Sequence, residues 1–176
     1  MCFCIQASNP KNYFIVDSKD ECISDAIETI FPLNTENAIL MWNHICIPLS
    51  YKYDISYMIE DVLTLINSIL CNDFGNMKLH WLPDTFRSDW IIMWRDGMIH
   101  INSHWESTVG NLETILNCNN SISLPIVDFL GEWKQILFLL VSSLKKSGYD
   151  ENKLRGMSKL INICERIEQF GTLYKE

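Results

Sequence analysis

The stretch 123–149, SLPIVDFLGEWKQILFLLVSSLKKSGY, constrains this chain more than any other. At helical spacing Ile126, Phe129, Leu130, Trp133, Ile136, Leu137, Leu140, Val141 and Leu144 form one wide apolar stripe. Phe138 and Leu139 add apolar surface off the stripe, so the middle of the helix is expected to be enclosed on nearly every side. Pro125 fits the first turn, Asp128 and Glu132 favour the positive end, and Lys145 and Lys146 favour the negative end. Gly148 suits the position just past the end. Gly131 is a local misfit, costing about 1 kcal/mol against alanine, and implies close approach of a neighbouring element. A helix this apolar needs layers around it.

With 176 residues the chain is expected to be a single globular domain, 1–176, large enough to bury a core without staples. Six tryptophans and eight phenylalanines argue against disorder. The longest apolar run, 136–141, falls far short of the roughly 20 residues that cross a bilayer. MCFCIQASNPK has no charged n-region leading into an apolar stretch, so the expected location is the cytoplasm. Seven cysteines are scattered singly, and Cys2-Phe3-Cys4 lacks a second half to complete a zinc site. Neither disulfide nor metal is expected.

Shorter elements surround the long helix. Residues 3–6 and 13–16 read as strands separated by the turn Ser8-Asn9-Pro10. Ser18 and Glu21 have capping-box spacing ahead of a helix that buries Cys22, Ile23, Ala26, Ile27 and Ile30 and ends at Pro32. Residues 38–48 read as one apolar strand holding His44. Asp54 then caps a helix with core residues Ile55, Met58, Ile59, Val62, Leu65, Ile66, Ile69 and Leu70. After a strand over 77–82, Asp96-Gly97 predicts a type I′ hairpin pairing Trp94 with Ile99 and Ile92 with Ile101, with Met93 facing His100. Residues 117–121 read as a loop. Leu154, Met157, Leu160, Ile161, Cys164, Ile167 and Phe170 line a last helix capped by Gly171. The expected fold is α+β: an antiparallel sheet packed against about four helices, ending in an antiparallel helix pair.

The net charge is −8, and its placement is uneven. Residues 1–60 hold eight acids against three bases, 61–110 hold six against three, and 111–176 hold eight of each. Such a field repels nucleic acid and anionic membranes and attracts a basic partner. Glu21, Asp25 and Glu28 fall on one helix face with no lysine spaced to relieve them; Asp17, Asp20 and Glu36 lie nearby. These six are the candidate partner-binding residues. The plainer reading is a solvated face that serves solubility.

No catalytic machinery stands out. There is no phosphate-binding glycine loop, no G-x-S-x-G elbow and no H-E-x-x-H helix. His100, Asn102, His104 and Glu106 alternate along one strand face, where two imidazoles and a carboxylate can bind a metal or pass protons. The same alternation is the ordinary polar face of a half-buried strand. His44 and His80 read as satisfied core or edge residues. Catalytic residues, metal ligands and cofactors are therefore all expected to be none.

The order WIIMWRDGMIHI, SLPIVDFLGEWKQIL, KKSGY and GTLY resembles the small bacterial immunity proteins of contact-dependent growth inhibition and related polymorphic-toxin systems. The likeness covers roughly 79–174 and is carried mostly by Trp94, Phe129, Trp133 and Tyr149. It implies a cytoplasmic, non-enzymatic protein that blocks one cognate toxin domain, often a nuclease with a basic cleft. Contact surfaces vary within the family, so the acidic residues above rest on this sequence alone. Under that reading, reversing Glu21, Asp25 and Glu28 to lysine weakens binding and leaves the fold intact. The alternatives are a small metal-dependent enzyme on the His100, His104 and Glu106 face, or a general acidic adaptor.

Overall fold

A computed structural model describes residues 3–173, with side chains through residue 170. Cys2 and Tyr174 lie outside the described residues. The chain runs β1 (Phe3–Gln6), α1 (Ile23–Ile30), β2 (Ala38–Trp42), β3 (Ile45–Leu49), a π-helical turn (Tyr51–Ile55) and α2 (Ser56–Cys71). It continues through β4 (Gly75–Trp81), β5 (Phe86–Arg95), β6 (Met98–Thr108), α3 (Glu113–Cys118), β7 (Ser121–Pro125), α4 (Ile126–Ser147) and α5 (Met157–Leu173). The fold is α+β, with two antiparallel sheets in place of the single expected one. They are ordered β1-β2-β3 and β4-β5-β6-β7.

The extra sheet arises at 38–48, where a single strand is expected from the sequence. Asn43 and His44 both take positive φ, 46° and 68°, which folds the segment into a tight hairpin pairing Trp42 with Ile45. His44 is thus an exposed turn residue rather than part of an apolar strand. Asparagine tolerates that backbone, and its Nδ2 donates to the carbonyls of Asn119 and Ser121 at 2.9 and 3.0 Å, tying the two sheets together. Residues 117–121 are accordingly no free loop. Asn117 lies in α3 and exchanges two hydrogen bonds with the Trp105 backbone, and Ser121 opens β7.

The Asp-Gly hairpin has the expected register: Trp94 opposite Ile99, Ile92 opposite Ile101, Met93 opposite His100. Its inward face carries Trp90, which meets Trp42, Trp81, Phe86 and Trp105 at centroid separations of 5.2–6.3 Å. Trp42 comes from the other sheet, so aromatic contact joins the two into one core.

α4 packs on β1, β6, β7, α1 and α5. Its stripe is buried as expected apart from a half-buried Val141. Glu132 reaches the β1 edge and accepts the Ile5 N–H at 2.7 Å, blunting an open strand. Gly148 takes φ 100°, and Gly148 and Tyr149 donate to the carbonyls of Lys145 and Leu144. Two expectations fail on the outer side. Phe138 is exposed beneath the Lys134 ammonium, and Gly131 faces open space, where a methyl group in place of its hydrogen would meet nothing within 4 Å.

Other boundaries shift for local reasons. Residues 13–16 are irregular, because Phe14 at φ 55° breaks the extended path. Helix α1 starts after Cys22, with Asp25 rather than Glu21 as its acidic cap. Ser50, not Asp54, sits at the cap before α2; buried Asp54 accepts the Ser50 N–H at 2.7 Å from inside the π turn. Helix α5 runs past Gly171 to Leu173. No helix among the described residues is long and apolar enough to cross a membrane.

Candidate functional site

The apolar face of α1 (Ile23, Ala26, Ile27, Ile30) is wholly buried, which turns Glu21, Asp25 and Glu28 outward. Asp20, Glu21, Asp25 and Glu28 converge on an open cleft of about 440 Å³, shared with Lys19 and Lys52. The cleft brings together four of the six acids expected at a binding surface. It also supplies cations that local spacing did not reveal. Lys52, from the π turn, donates to the Glu28 carbonyl at 2.5 Å. Arg155 lies beside Asp25, because Ile23 N–H donates to the Arg155 carbonyl and Arg155 N–H to the Glu21 carbonyl, each at 3.1 Å.

The acids divide by task. Asp25 accepts the Glu21 and Cys22 amides at 3.1 and 3.2 Å, capping α1. Its carboxyl is held below the ordinary value, chiefly by the Cys22 thiol and then by these amides and Arg155, against the cost of burial. Asp20 accepts the Tyr149 hydroxyl and, at 3.1 Å, the Thr29 hydroxyl. Asp17 accepts the Lys19 N–H at 2.9 Å, while its own N–H donates to the Tyr149 oxygen at 3.1 Å. Glu36 does not line the cleft; it accepts the Asn9 N–H at 2.9 Å and braces the loop after β1. Glu28 is pushed up by burial, partly countered by Lys52 and reinforced by Asp25 and Asp20. Glu21 and Glu28 are therefore the carboxylates least committed to holding the fold. Reversing Asp25 as well removes a helix cap, which corrects the expectation that a triple lysine variant leaves the fold intact.

Tyr13, Phe14, Ile15 and Val16 lead directly into this acidic segment and are 50%, 61%, 49% and 51% exposed. The signal for them is present in the sequence as an unbroken apolar run. Its lack of alternation argues against a half-buried strand.

The histidine face has the expected geometry. His100, Asn102, His104 and Glu106 all point outward from β6. Asp89 lies opposite His104, yet its carboxylate is engaged by His80 and by Lys78 at 3.3 Å. Among the described residues, no group of three or more His, Cys, Asp or Glu side chains is placed to hold a metal ion. The six described cysteines are free thiols.

Compared with known proteins, the chain matches no family model, no curated protein and no solved structure.

Proposed function

We propose that this chain is a non-enzymatic inhibitor of a basic protein, and specifically a cytoplasmic immunity protein that occludes the basic active-site cleft of a cognate toxin nuclease. The observation that carries this reading is the convergence of Asp20, Glu21, Asp25 and Glu28 on one open cleft. Carboxylates presented together raise the encounter rate with a cationic surface and select against other partners. The excess negative charge of the first 110 residues works in the same direction. The resemblance of 79–174 to immunity proteins supplies the toxin half of the proposal. We also read α4 and α5 as an antiparallel pair, a reading supported by the 3.2 Å bridge from Lys134, early in α4, to Glu168, late in α5. A general acidic adaptor would share the cleft and differ in what the partner does. The metal-enzyme alternative has less support, since Asp89 is already paired with His80 and Lys78.

The test is capture of tagged protein from its native cells, washed at low and then moderate salt. We expect a basic toxin fragment in a one-to-one complex that poisons cells lacking this protein. The variant Glu21→Lys, Glu28→Gln leaves the Asp25 cap in place. It should bind the fragment at least about tenfold more weakly in low salt, mostly through slower association. An unchanged association rate removes the α1 cleft from consideration, and a harmless partner favours the adaptor.

A further inference from the structure

The segment 13–16 departs from how the rest of the chain treats its apolar residues. Four consecutive large side chains are each about half exposed, so no face of the segment is given to the core. Phe14 adopts φ 55°, a region that bulky L residues rarely occupy and that favours glycine. Something must hold it there, and both flanks are pinned. Asn12 donates from Nδ2 to the Ser143 carbonyl at 3.2 Å; its Oδ1 accepts the Phe14 N–H at 2.6 Å and the Ser147 hydroxyl at 3.2 Å. Tyr13 N–H donates to the Ile30 carbonyl at 2.9 Å. On the far side Asp17 N–H donates to Tyr149, whose hydroxyl also engages Asp20 in the acidic cleft. Every anchor lies on α1, on α4 or at the junction after it.

We propose that Tyr13, Phe14, Ile15 and Val16 form a preorganised apolar strap that inserts into an apolar cleft on the partner, a cleft rimmed by lysine or arginine. The basic rim follows from charge complementarity. Asp17 continues the strap directly, and Tyr149 couples it to Asp20, so whatever covers the apolar side chains meets carboxylates within a few residues. A second copy of this chain would bring like charge to the same place. An aromatic side chain held ahead of time loses little freedom on binding, the usual property of an anchoring residue. The strap supplies lifetime and the acidic cleft supplies approach. The inference rests on the protein-binding reading above and names the chemistry of the partner's side of the contact.

The test places a photoreactive benzoyl-phenylalanine at position 14, and at the still more exposed Phe74 as a control, in living native cells. We expect an adduct with a single basic protein from position 14 and none from position 74. Phe14→Gly should then bind that protein at least about 30-fold more weakly at both low and moderate salt, the loss lying in faster dissociation. Its thermal midpoint should be no lower than that of the parent, since glycine accepts the same backbone without strain. An adduct with an acidic protein or a second copy, an adduct from position 74 alone, no adduct at all, or an affinity within about threefold of the parent overturns the proposal. If Glu21→Lys, Glu28→Gln weakens binding while Phe14→Gly does not, the strap falls and the acidic cleft stands. If neither weakens binding, both fall.

Discussion

Gly131→Ala should make the protein more stable. Glycine in a helix interior costs about 1 kcal/mol against alanine, because its backbone has more freedom to lose on folding. That penalty is retained where a glycine gives something back, such as room for a neighbour or a positive φ. Gly131 does neither: it lies within α4, on the exposed side between buried Leu130 and half-buried Glu132, and a Cβ added to it would meet nothing within 4 Å. The full propensity difference should therefore appear, about 1 kcal/mol, or roughly 2–4 °C in thermal midpoint for a chain of this size. Calorimetry together with urea melts of both proteins measures it, and the urea slope should not change, because no buried surface is altered. An unchanged or lower midpoint would refute the reasoning. It would mean that something in the native state occupies the space beside Gly131.

Gly75→Ala should have the opposite sign. Its Cβ would lie 2.8 Å from Cε2 and Cη2 of Trp94 and closer still to Cζ2, and Trp94 is buried with its Nε1 donating to the Asn72 carbonyl at 2.9 Å. Overpacking there should cost about 1–3 kcal/mol by urea denaturation, and retained stability would show that the indole has room to move. Asp54 predicts a pH dependence. Burial raises its carboxyl above the usual range, with the Thr85 hydroxyl and the Ser50 amide pulling the other way. A raised folded value favours the protonated form, so its contribution is fully present below the unfolded value of about 3.9 and is lost as pH rises through the folded one. Stability of the parent relative to Asp54→Asn should therefore fall as pH climbs from about 4, and a flat difference would contradict the assignment.

What could be read from the sequence depended on how far apart the deciding residues lie. The β5–β6 register was legible because Asp96-Gly97 dictates it within two residues, and the α4 stripe because one period runs through the whole helix. The split of 38–48 was not, since Asn43 is held in its turn by carbonyls at 119 and 121. The acidic stripe was legible as a helical face, yet its counter-charges come from Lys52 and Arg155, which only the tertiary fold brings there. Gly131 misled because a glycine inside a helix normally signals contact, and here the contact is absent. Segment 13–16 misled because composition favoured a strand, while Asn12 and its partners on α4 hold an irregular path.

Tyr149 connects the scaffold to the proposed site. It follows Gly148, whose left-handed backbone ends α4 and turns the chain toward α5. Burial, then the Asp20 carboxylate, raises its hydroxyl to about 12, so at neutral pH it remains a proton donor. That donor is given to Asp20 in the acidic cleft, and its oxygen accepts the amide of Asp17 at the end of the apolar strap. One side chain just past the end of α4 thus ties an acid of the cleft and the end of the apolar strap to the same point of the scaffold. Under the immunity reading proposed above, the Gly-Tyr junction belongs to the scaffold. Here the same junction would let the scaffold stay constant while the residues it positions change from partner to partner. Recognition side chains placed outside the core but tied to it by hydrogen bonds are held ready for a partner at little cost to the packing beneath them.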